Sequence, residues 1–349
     1  MSTDYRIIEG DYLHDLVAQP QALRDTIDAL GEDQPLLGLH DQLAGEKFGR
    51  IILTGMGSSL HALHPLNLEL IDHGYAPLMV ETSELIYYMP GFFDCSTVIV
   101  AVSQSGRSIE ITRLLEVNQR RAPIIGVTNT PGSPLAKEAD IVIMTNAGKE
   151  FSVSCKTYIA SLAALTWLGT FLCGKSRQDA RKELDQAAPL AGQYLQHWRR
   201  HVEEMIPLLT GVRDLFLAGR GASLAAVGTG GLIVKESTHL HAEGMSSAAF
   251  RHGPMEMLGP EVFVLVFAGD PGVRHLNSRL AHDIRAKGGR AELVAEDTPQ
   301  EALRLPSAPR SLRPLLEILP VEMITLALAA LAGREAGKFE IGSKVTIAE

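Results

Sequence analysis

The chain has few cysteines and aromatic residues, no excess of basic side chains and no long apolar segment. Its 349 residues include three cysteines and 5% aromatics, and 41 acidic side chains outnumber 32 basic ones, for a net charge of −9. An acidic chain without a Lys/Arg cluster lacks the footprint of a nucleic-acid-binding protein. The longest apolar run, Ile324–Ala332, is too short to span a bilayer. Neither nucleic acid nor a membrane is therefore an expected partner.

The cysteines and histidines show no metal-binding pattern. Cys95, Cys155 and Cys173 lie in or beside apolar runs, and their odd number is typical of buried, reduced thiols. The 12 histidines are scattered, without an HExxH or finger-like spacing. No metal and no redox cofactor is expected. Residues 1–10 carry acidic side chains and no apolar signal-peptide core, which predicts a cytoplasmic protein.

Short apolar strands alternate with helical patterns from residue 50 onward. The run Val98–Val102 is typical of a buried strand. Similar runs, each followed by a turn and a helical pattern, occur at Arg50–Thr54, Pro123–Val127 and Ile141–Met144. Strands that alternate with helices form a parallel sheet covered on both faces. The sequence therefore predicts an α/β fold.

The strand–turn–helix series starts again at Leu215–Ala218, which indicates an internal duplication. Small residues of the first turn recur at a constant distance along the chain: Gly55, Gly57 and Ser59 match Gly219, Gly221 and Ser223. Later strands are predicted in the same order, at Val262–Phe267, Ala291–Val294 and Leu315–Leu319. The expected parts are a helical N-terminal segment (1–48), a first subdomain (49–175), a charged helical linker (176–207), a second subdomain (208–335) and a tail (336–349).

A hydroxyl-rich turn separates the strand Val98–Val102 from the next helical pattern. It consists of Ser103, Gln104, Ser105, Gly106, Arg107 and Ser108. Free backbone N–H groups and the positive end of a helix dipole bind anions at such a turn, and serine hydroxyls add donors. We expect a phosphate carried on a small molecule, because the GxxxxGK[ST] spacing of a nucleotide loop is absent. The alternative is that these serines only form the turn and cap the helix, which accounts for one serine more easily than for three.

The second half has different chemistry at the matching place. Ala268, Gly269, Asp270 and Pro271 stand where the first half has its serines. A carboxylate repels phosphate, because both groups are negatively charged. The sequence therefore predicts one phosphate site per chain, and a duplicate that has taken another role.

Two side chains of the second half are suited to proton transfer. Glu236 lies late in a helical pattern, and His252 stands directly before Gly253 and Pro254. A carboxylate and an imidazole are the usual general acids and bases. The alternatives are a solvated glutamate paired with Lys235 and a loop histidine that caps a turn. Spacing along the chain does not show whether the two side chains meet.

These segments together resemble the sugar isomerase (SIS) family, above all the isomerase half of glucosamine-6-phosphate synthase and the SIS-type glucosamine-6-phosphate deaminases. The resemblance covers nearly the whole chain. Its motifs are Gln19–Leu23, Gly55–Ser59, Ser103–Ser108, Ala147–Val153, Lys235–Glu236, His241–Glu243, Arg251–Met255 and Lys344–Thr346. The SQSG and RHGP segments in this order make the match specific.

The resemblance implies two tandem Rossmann-like SIS subdomains, each a parallel sheet flanked by helices, with a sugar phosphate bound between them in a homodimer that shares its active sites. It implies phosphate binding by Ser103, Gln104, Ser105 and Ser108, with Gly57, Ser58 and Ser59 beside them, and a substrate pocket that includes Val153 and Ser154. By the same resemblance, Glu236 moves the proton between C1 and C2, and His252, which in the family tends to come from the neighbouring subunit, opens the sugar ring. Lys344 matches a lysine over the open-chain sugar.

Several positions depart from the family pattern. Ile233 stands where the synthase has a second catalytic lysine, and the segment before Lys156 is one residue short. Phe339 and Glu340 replace a Pro-Arg pair, so the loop that carries Lys344 is expected to differ. No N-terminal cysteine nucleophile or glutaminase domain is seen, so ammonia is not expected to come from glutamine in this polypeptide. Arg107 and the run Met245–Ala248 resemble the deaminase branch more than the synthase branch.

The expected activity is the deamination and isomerisation of an amino-sugar phosphate, with glucosamine 6-phosphate converted to fructose 6-phosphate and ammonia. A deglycase acting on a fructosamine 6-phosphate is an alternative that would differ in the pocket beyond C1. A non-catalytic sugar-phosphate sensor is another. The presence of Glu236, His252 and Lys344 together favours an enzyme.

Overall fold

The chain folds into two compact units, each with its own sheet. The computed structural model describes residues 5–32, 34–45, 47–342 and 344–346. The first-sheet unit consists of Gln21–Lys149, Lys156–Asp185 and the C-terminal residues 344–346; the second-sheet unit consists of residues 5–20, Glu150–Cys155 and Gln186–Gly342. The part boundaries expected from the sequence stay predictions. The sequence analysis notes that residues 1–3 contain no cysteine nucleophile. These residues lie outside the described residues.

The first sheet is parallel throughout and has the strand order β2-β1-β3-β4-β5. Its strands are β1 (Arg50–Gly55), β2 (Leu78–Glu81), β3 (Thr97–Val102), β4 (Ile124–Thr128) and β5 (Ile141–Met144). All six residues of β3 are buried, as expected for a central strand covered on both faces. The sequence patterns predicted β1, β3, β4 and β5. They missed β2, a four-residue edge strand without a buried residue.

The second sheet repeats this order, as β7-β6-β8-β9, and is also parallel. Its strands are β6 (Asp214–Gly219), β7 (His241–Ser246), β8 (Val262–Phe267) and β9 (Arg290–Val294). The same order of four strands in both sheets agrees with the predicted duplication. The edge strand β7 was not predicted, because its sequence HAEGMS has neither apolar alternation nor a β-branched run.

The helices cover these sheets and fill the rest of each unit. The α-helices in the described residues are α1 (Asp11–Val17), α2 (Gln19–Ala29), α3 (Gln34–Leu37), α4 (Leu39–Ala44), α5 (Ser58–His61), α6 (His64–Asp72), α7 (Thr82–Tyr88), α8 (Ile109–Asn118), α9 (Pro134–Glu138), α10 (Lys156–Leu172), α11 (Arg177–Leu184), α12 (Ala187–Leu195), α13 (Trp198–Leu209), α14 (Leu224–Thr238), α15 (Ser247–Arg251), α16 (Pro271–Ala286), α17 (Arg313–Leu316) and α18 (Ile318–Ala332). Short 3₁₀ helices lie at Tyr5–Ile8, Pro90–Phe92, Gly221–Ser223, Pro254–Met257, Glu301–Leu303 and Arg310–Leu312.

The strand predicted at Leu315–Leu319 is wrong, because this segment is helical. It spans the end of α17 and the start of α18. A short apolar run that is buried on all sides cannot be assigned to a strand or a helix by its periodicity. Here the run continues into the apolar residues of α18, which makes it long enough for a buried helix.

The helical segment Arg310–Ala332 is longer and more apolar than the sequence analysis expected. It is the one segment of the described chain that is long and apolar enough to cross a membrane, with a mean hydropathy of 2.0 over an 18-residue window. However, 89% of that window is buried inside the protein. Its main part, α18, packs on α13 and α14. The segment is therefore a core element of the second-sheet unit.

Glycines let α14 lie directly on the edge strand β7. A Cβ atom at Gly231 would come within 2.6 Å of the backbone nitrogen of Gly244, and one at Gly244 within 2.1 Å of the carbonyl oxygen of Val227. Neither position can carry a side chain without separating helix from strand. This close contact determines where the C-terminal end of α14, with Glu236, lies in the unit.

The cysteines are only partly as predicted. Cys155 and Cys173 are buried free thiols, but Cys95 is exposed. The prediction is wrong for Cys95 because this residue lies in a polar turn before β3, where the Asp94 carboxylate accepts hydrogen bonds from Ser96. Burial raises the pKa of the Cys173 thiol to about 12.

Glu322 is a fully buried acid at the centre of the second-sheet unit. The amide nitrogen of Gln19 donates to its Oε2 at 2.7 Å, while Oε1 has no hydrogen-bond partner in the part of the chain that is described. Burial raises the pKa of the Glu322 carboxyl well above its usual range, and the nearby Glu150 adds to the effect. Burial therefore favours the protonated, neutral form of the Glu322 carboxyl.

We expect Glu322→Gln to flatten the dependence of stability on pH. A raised pKa means that the folded state holds a proton that the unfolded state releases, so this group lowers the free energy of unfolding as pH rises, by up to about 1.4 kcal/mol per unit. Glutamine keeps the size of the side chain but has no carboxyl group that can bind or release a proton. Urea unfolding between about pH 5 and about pH 8 measures the slope. Equal slopes for the variant and the wild type would contradict this account.

Candidate functional site

The serine turn after β3 is held by the turn that follows β4. The backbone N–H of Asn129 donates to the carbonyl oxygen of Gln104 at 3.0 Å, and the Thr130 hydroxyl donates to the same oxygen at 3.2 Å. The Ser103 hydroxyl accepts from the N–H of Gly106 at 3.1 Å. A hydroxyl that accepts one bond still has its own hydrogen to donate. The turn is thus held by the neighbouring turn, and no described residue accepts a hydrogen bond from the Ser103 hydroxyl.

Gly106 is the residue that allows this turn to form. Its φ of +60° is a backbone conformation that favours glycine, and a Cβ atom there would lie 2.2 Å from the Ser133 hydroxyl and 2.8 Å from that of Thr128. Both space and backbone conformation therefore require glycine. Ser105, just before it, is buried, and its hydroxyl accepts a long 3.4 Å bond from the N–H of Arg107.

Ser108 stands at the N-cap of α8, but its side chain does not cap the helix. The alternative in which every serine serves only the turn and cap therefore does not account for Ser108. The first helical N–H, that of Ile109, donates instead to the carbonyl oxygen of Thr346 at 3.2 Å. Lys344 precedes Thr346 by two residues, a span of at most about 7 Å. The C-terminal segment with Lys344 thus lies beside the start of α8, within the first-sheet unit.

The turn after β1 lies next to the end of β3. A Cβ atom at Gly55 would be 3.1 Å from the carbonyl oxygen of Val102. Gly57 has a φ of +53°, and Ser58 opens the short helix α5 with a buried hydroxyl that has no hydrogen-bond partner among the described residues. Strand order reverses between β1 and β3, and ligands of open α/β sheets bind at the carboxyl ends of strands at such a point. The turn Gly57–Ser59 therefore follows a strand whose end lies beside the end of β3, and its part in phosphate binding stays a prediction.

The second sheet has the same reversal between β6 and β8, but different groups fill it. Asp270 forms ion pairs with Arg310 at 2.9 Å and with Arg313 at 3.7 Å. The Ser223 hydroxyl donates to the buried carboxyl of Glu317 at 2.9 Å. Burial raises the pKa of Glu317 to about 8. Ser223 and Asp270 are thus engaged with neighbouring side chains of the second-sheet unit.

Glu236 lies in the last turn of α14 and is half-buried. The next residue, Ser237, accepts a hydrogen bond through its carbonyl oxygen from the N–H of Gly337 at 3.2 Å. The carbonyl oxygen of Gly337 accepts in turn from the Ser152 hydroxyl at 2.6 Å. Val153 follows Ser152 and is fully buried. Within the second-sheet unit, Gly337 therefore joins the end of the Glu236 helix to the segment that contains Val153 and Ser154.

His252 is exposed at the end of α15, and the next residue, Gly253, has a φ of +132°. Ile233 is fully buried within α14, in the place where the synthase pattern has a lysine. The roles of these residues, like those of Lys344 and the serines, stay predictions.

Sequence reasoning missed two backbone contacts, those of Thr346 with α8 and of Gly337 with α14. Neither is visible in side-chain patterns, because both are made through main-chain N–H and C=O groups. For Gly337, the one sequence signal is the glycine itself, whose φ of +71° marks a special backbone position.

Comparison with known proteins defines the class. Residues 42–170, which include the first sheet and the serine turn, match the family model of the SIS domain. Residues 42–170 therefore form a SIS domain, and the resemblance to the SIS family predicted from the sequence is confirmed.

The sequence is similar to an isomerising glutamine–fructose-6-phosphate aminotransferase of Thermococcus kodakarensis, with 28% identity over 342 residues. That alignment covers 93% of this chain and 56% of the relative, so the chain spans about half the length of the curated relatives it matches.

The fold of the whole chain also occurs in solved structures. The C-terminal domain of glucosamine-fructose-6-phosphate aminotransferase from Francisella tularensis has a TM-score of 0.84 at 20% identity, covering 97% of this chain and 100% of that one. A glucosamine-6-phosphate deaminase from Thermotoga maritima has a TM-score of 0.78 at 16% identity, with the same coverage. These likenesses confirm the predicted fold of two Rossmann-like subdomains.

We expect Ser105→Ala to weaken sugar-phosphate binding by about 1–3 kcal/mol, the range for a lost hydrogen bond to a charged group. Titration calorimetry with fructose 6-phosphate measures the change. Ser176→Ala is the matched control, because Ser176 caps α11 of the same unit and lies outside the turn. A phosphate bound beside Asp270, or unchanged affinity in Ser105→Ala, would contradict the assignment.

Proposed function

We propose that this protein deaminates and isomerises an amino-sugar phosphate, converting glucosamine 6-phosphate and water to fructose 6-phosphate and ammonia. The observation that carries the proposal is the serine turn at the reversal point of the first sheet, with the Lys344 segment fastened beside it through Thr346. A site of this kind can hold a phosphate and keep a lysine ammonium near the ligand.

The phosphate serves as a handle for the reacting sugar. Its binding energy, gained far from the reacting carbons, holds the open-chain sugar in register for chemistry at C1 and C2. The turn is suited to this role because hydrogen bonds from Asn129 and Thr130 hold its backbone in place. The close packing around Gly106 also fixes the course of the chain there.

Glu236 is proposed as the group that moves a proton between C1 and C2 through an enol(amine) intermediate. Its place in the last turn of α14 is well determined, because that helix lies on β7 through Gly231 and Gly244. His252 is proposed as the acid–base group for ring opening, and its exposed ring is accessible to a second subunit.

Two observations favour deamination over amination. Ile233 is apolar and fully buried where the synthase pattern has its second catalytic lysine. An isoleucine cannot take over the role of that lysine. The Thermotoga maritima protein with the same fold is described as a glucosamine-6-phosphate deaminase. We further propose a cytoplasmic homodimer with shared active sites.

We expect Glu236→Gln to bind the sugar phosphate nearly as well as the wild type but to turn over about 10²–10⁴-fold more slowly, the usual contribution of a positioned general base. Glutamine keeps the size of the side chain and loses the base. Ammonia release from glucosamine 6-phosphate and exchange of a C1 proton of fructose 6-phosphate with deuterated solvent measure the loss.

Lys235→Gln is the matched control, because Lys235 is the exposed neighbour of Glu236 on the same helix. It should keep both activities. A wild type that binds hexose 6-phosphates, never exchanges a C1 proton of fructose 6-phosphate and never releases ammonia would be a sensor and would contradict the proposal. Cleavage of a fructosamine 6-phosphate, with no ammonia released from glucosamine 6-phosphate, would favour the deglycase.

We also expect mixed subunits to regain activity. Glu236→Gln and His252→Ala proteins, each inactive alone, should form hybrid dimers in which one active site has both native residues. Activity after mixing, with subunit exchange followed by mass spectrometry, tests this. A monomer in solution, or no recovery after complete exchange, would show that the active site is not shared.

A further inference from the structure

Gly337 lies at a junction of three chain segments in the second-sheet unit. Its N–H donates to the carbonyl oxygen of Ser237 at the end of α14, and its own carbonyl oxygen accepts from the Ser152 hydroxyl. The backbone N–H groups of Phe151 and Ser152 donate to the carboxylate of Asp15 in α1, at 2.6 and 3.1 Å. One residue thus ties the helix of Glu236 to the segment 150–155.

No other residue type fits at this junction. A Cβ atom at Gly337 would lie 2.2 Å from the Ser152 hydroxyl and 2.9 Å from the Cβ of Tyr12, and the φ of +71° is itself unfavourable for a side chain. Tyr12 is only 1% exposed, and its hydroxyl pairs with Thr325 at 3.2 Å, so the ring has no space to move into. A larger residue must therefore displace either Ser152 or the end of α14.

Charged side chains hold the segment that follows. Glu340 pairs with Arg334 at 3.0 Å, and Arg334 also reaches the His239 ring at 3.2 Å and the carbonyl oxygen of Thr238 at 3.5 Å. His239 ends α14 in a left-handed conformation, with φ +57°. Glu340 is one of the positions that depart from the family pattern, and here its carboxylate fastens residues 334–340 to the end of α14.

We propose that Gly337 is a positioning residue for the reaction: it holds Glu236 at a fixed distance from the segment Ser152–Ser154 that borders the sugar. The inference rests on the proposed function. Proton transfer requires the base to be placed closely against the carbon that it deprotonates, and a displacement of 1 Å can lower the rate about 10²-fold. Phosphate binding depends on the serine turn of the other unit, so the two effects are separable.

The experiment compares Gly337→Ala with Ser152→Ala and with Gly272→Ala. We expect Gly337→Ala to lower kcat about 10–100-fold with KM changed less than about twofold, and to raise the isotope effect of deuterium at C2, because proton transfer becomes slower. Ser152→Ala removes the same link without a clash and should lower kcat in the same direction. Gly272→Ala should match the wild type, because Gly272 lies in α16 and no atom of the described residues lies within 4 Å of the added Cβ.

A double variant makes the test independent of general destabilisation. In Gly337→Ala/Ser152→Ala the hydroxyl that the new methyl group strikes is gone, so the loss in kcat should be smaller than the product of the single losses. If Gly337→Ala does not fold, Ser152→Ala alone decides. A wild-type kcat and isotope effect in Ser152→Ala, or equal losses in kcat and in phosphate affinity, would overturn the inference. A wild type that neither releases ammonia nor exchanges a C1 proton of fructose 6-phosphate would refute the proposed function itself.

Discussion

The candidate phosphate site depends on one constraint, the absence of a side chain at Gly106. The strands β3 and β4 end side by side, and the turns that follow them interlock so closely that Ser133 and Thr128 occupy the space a Cβ atom would need. This contact bends the chain at a positive φ and brings Ser103 and Ser105 onto the start of α8. The geometry that suits the turn to the proposed phosphate binding therefore comes from packing between two loops as much as from the serines themselves.

The two sheets share a strand order but differ in the residues at the ends of their central strands. Both reverse their strand order at the same place, so both offer a crevice at the carboxyl ends of two central strands. In the first sheet, serines and backbone N–H groups surround it. In the second, Asp270 is bound by Arg310 and Arg313, and Ser223 donates to a buried glutamate. A scaffold can thus be duplicated while its chemistry changes, because loop residues set the site and buried strands set the fold.

The accuracy of the sequence predictions followed burial. The fully buried strands β3 and β8 were predicted almost to the residue, because central strands of a parallel sheet are continuous apolar runs. The edge strands β2 and β7 were missed, since one or both of their faces are exposed and their residues are mixed. The segment Leu315–Leu319 was assigned to a strand although it is helical, because an apolar run buried on all sides has no periodicity to read.

The sequence by itself determined the α/β class, the duplication and the residues able to bind a phosphate or move a proton, because these depend on residue type and on short-range spacing. Tertiary structure decided how these residues are held. The link from Thr346 to Ile109 and that from Gly337 to Ser237 join positions more than ninety residues apart through backbone atoms. Every residue but proline carries the same N–H and C=O groups, so no side-chain pattern shows which of them will meet.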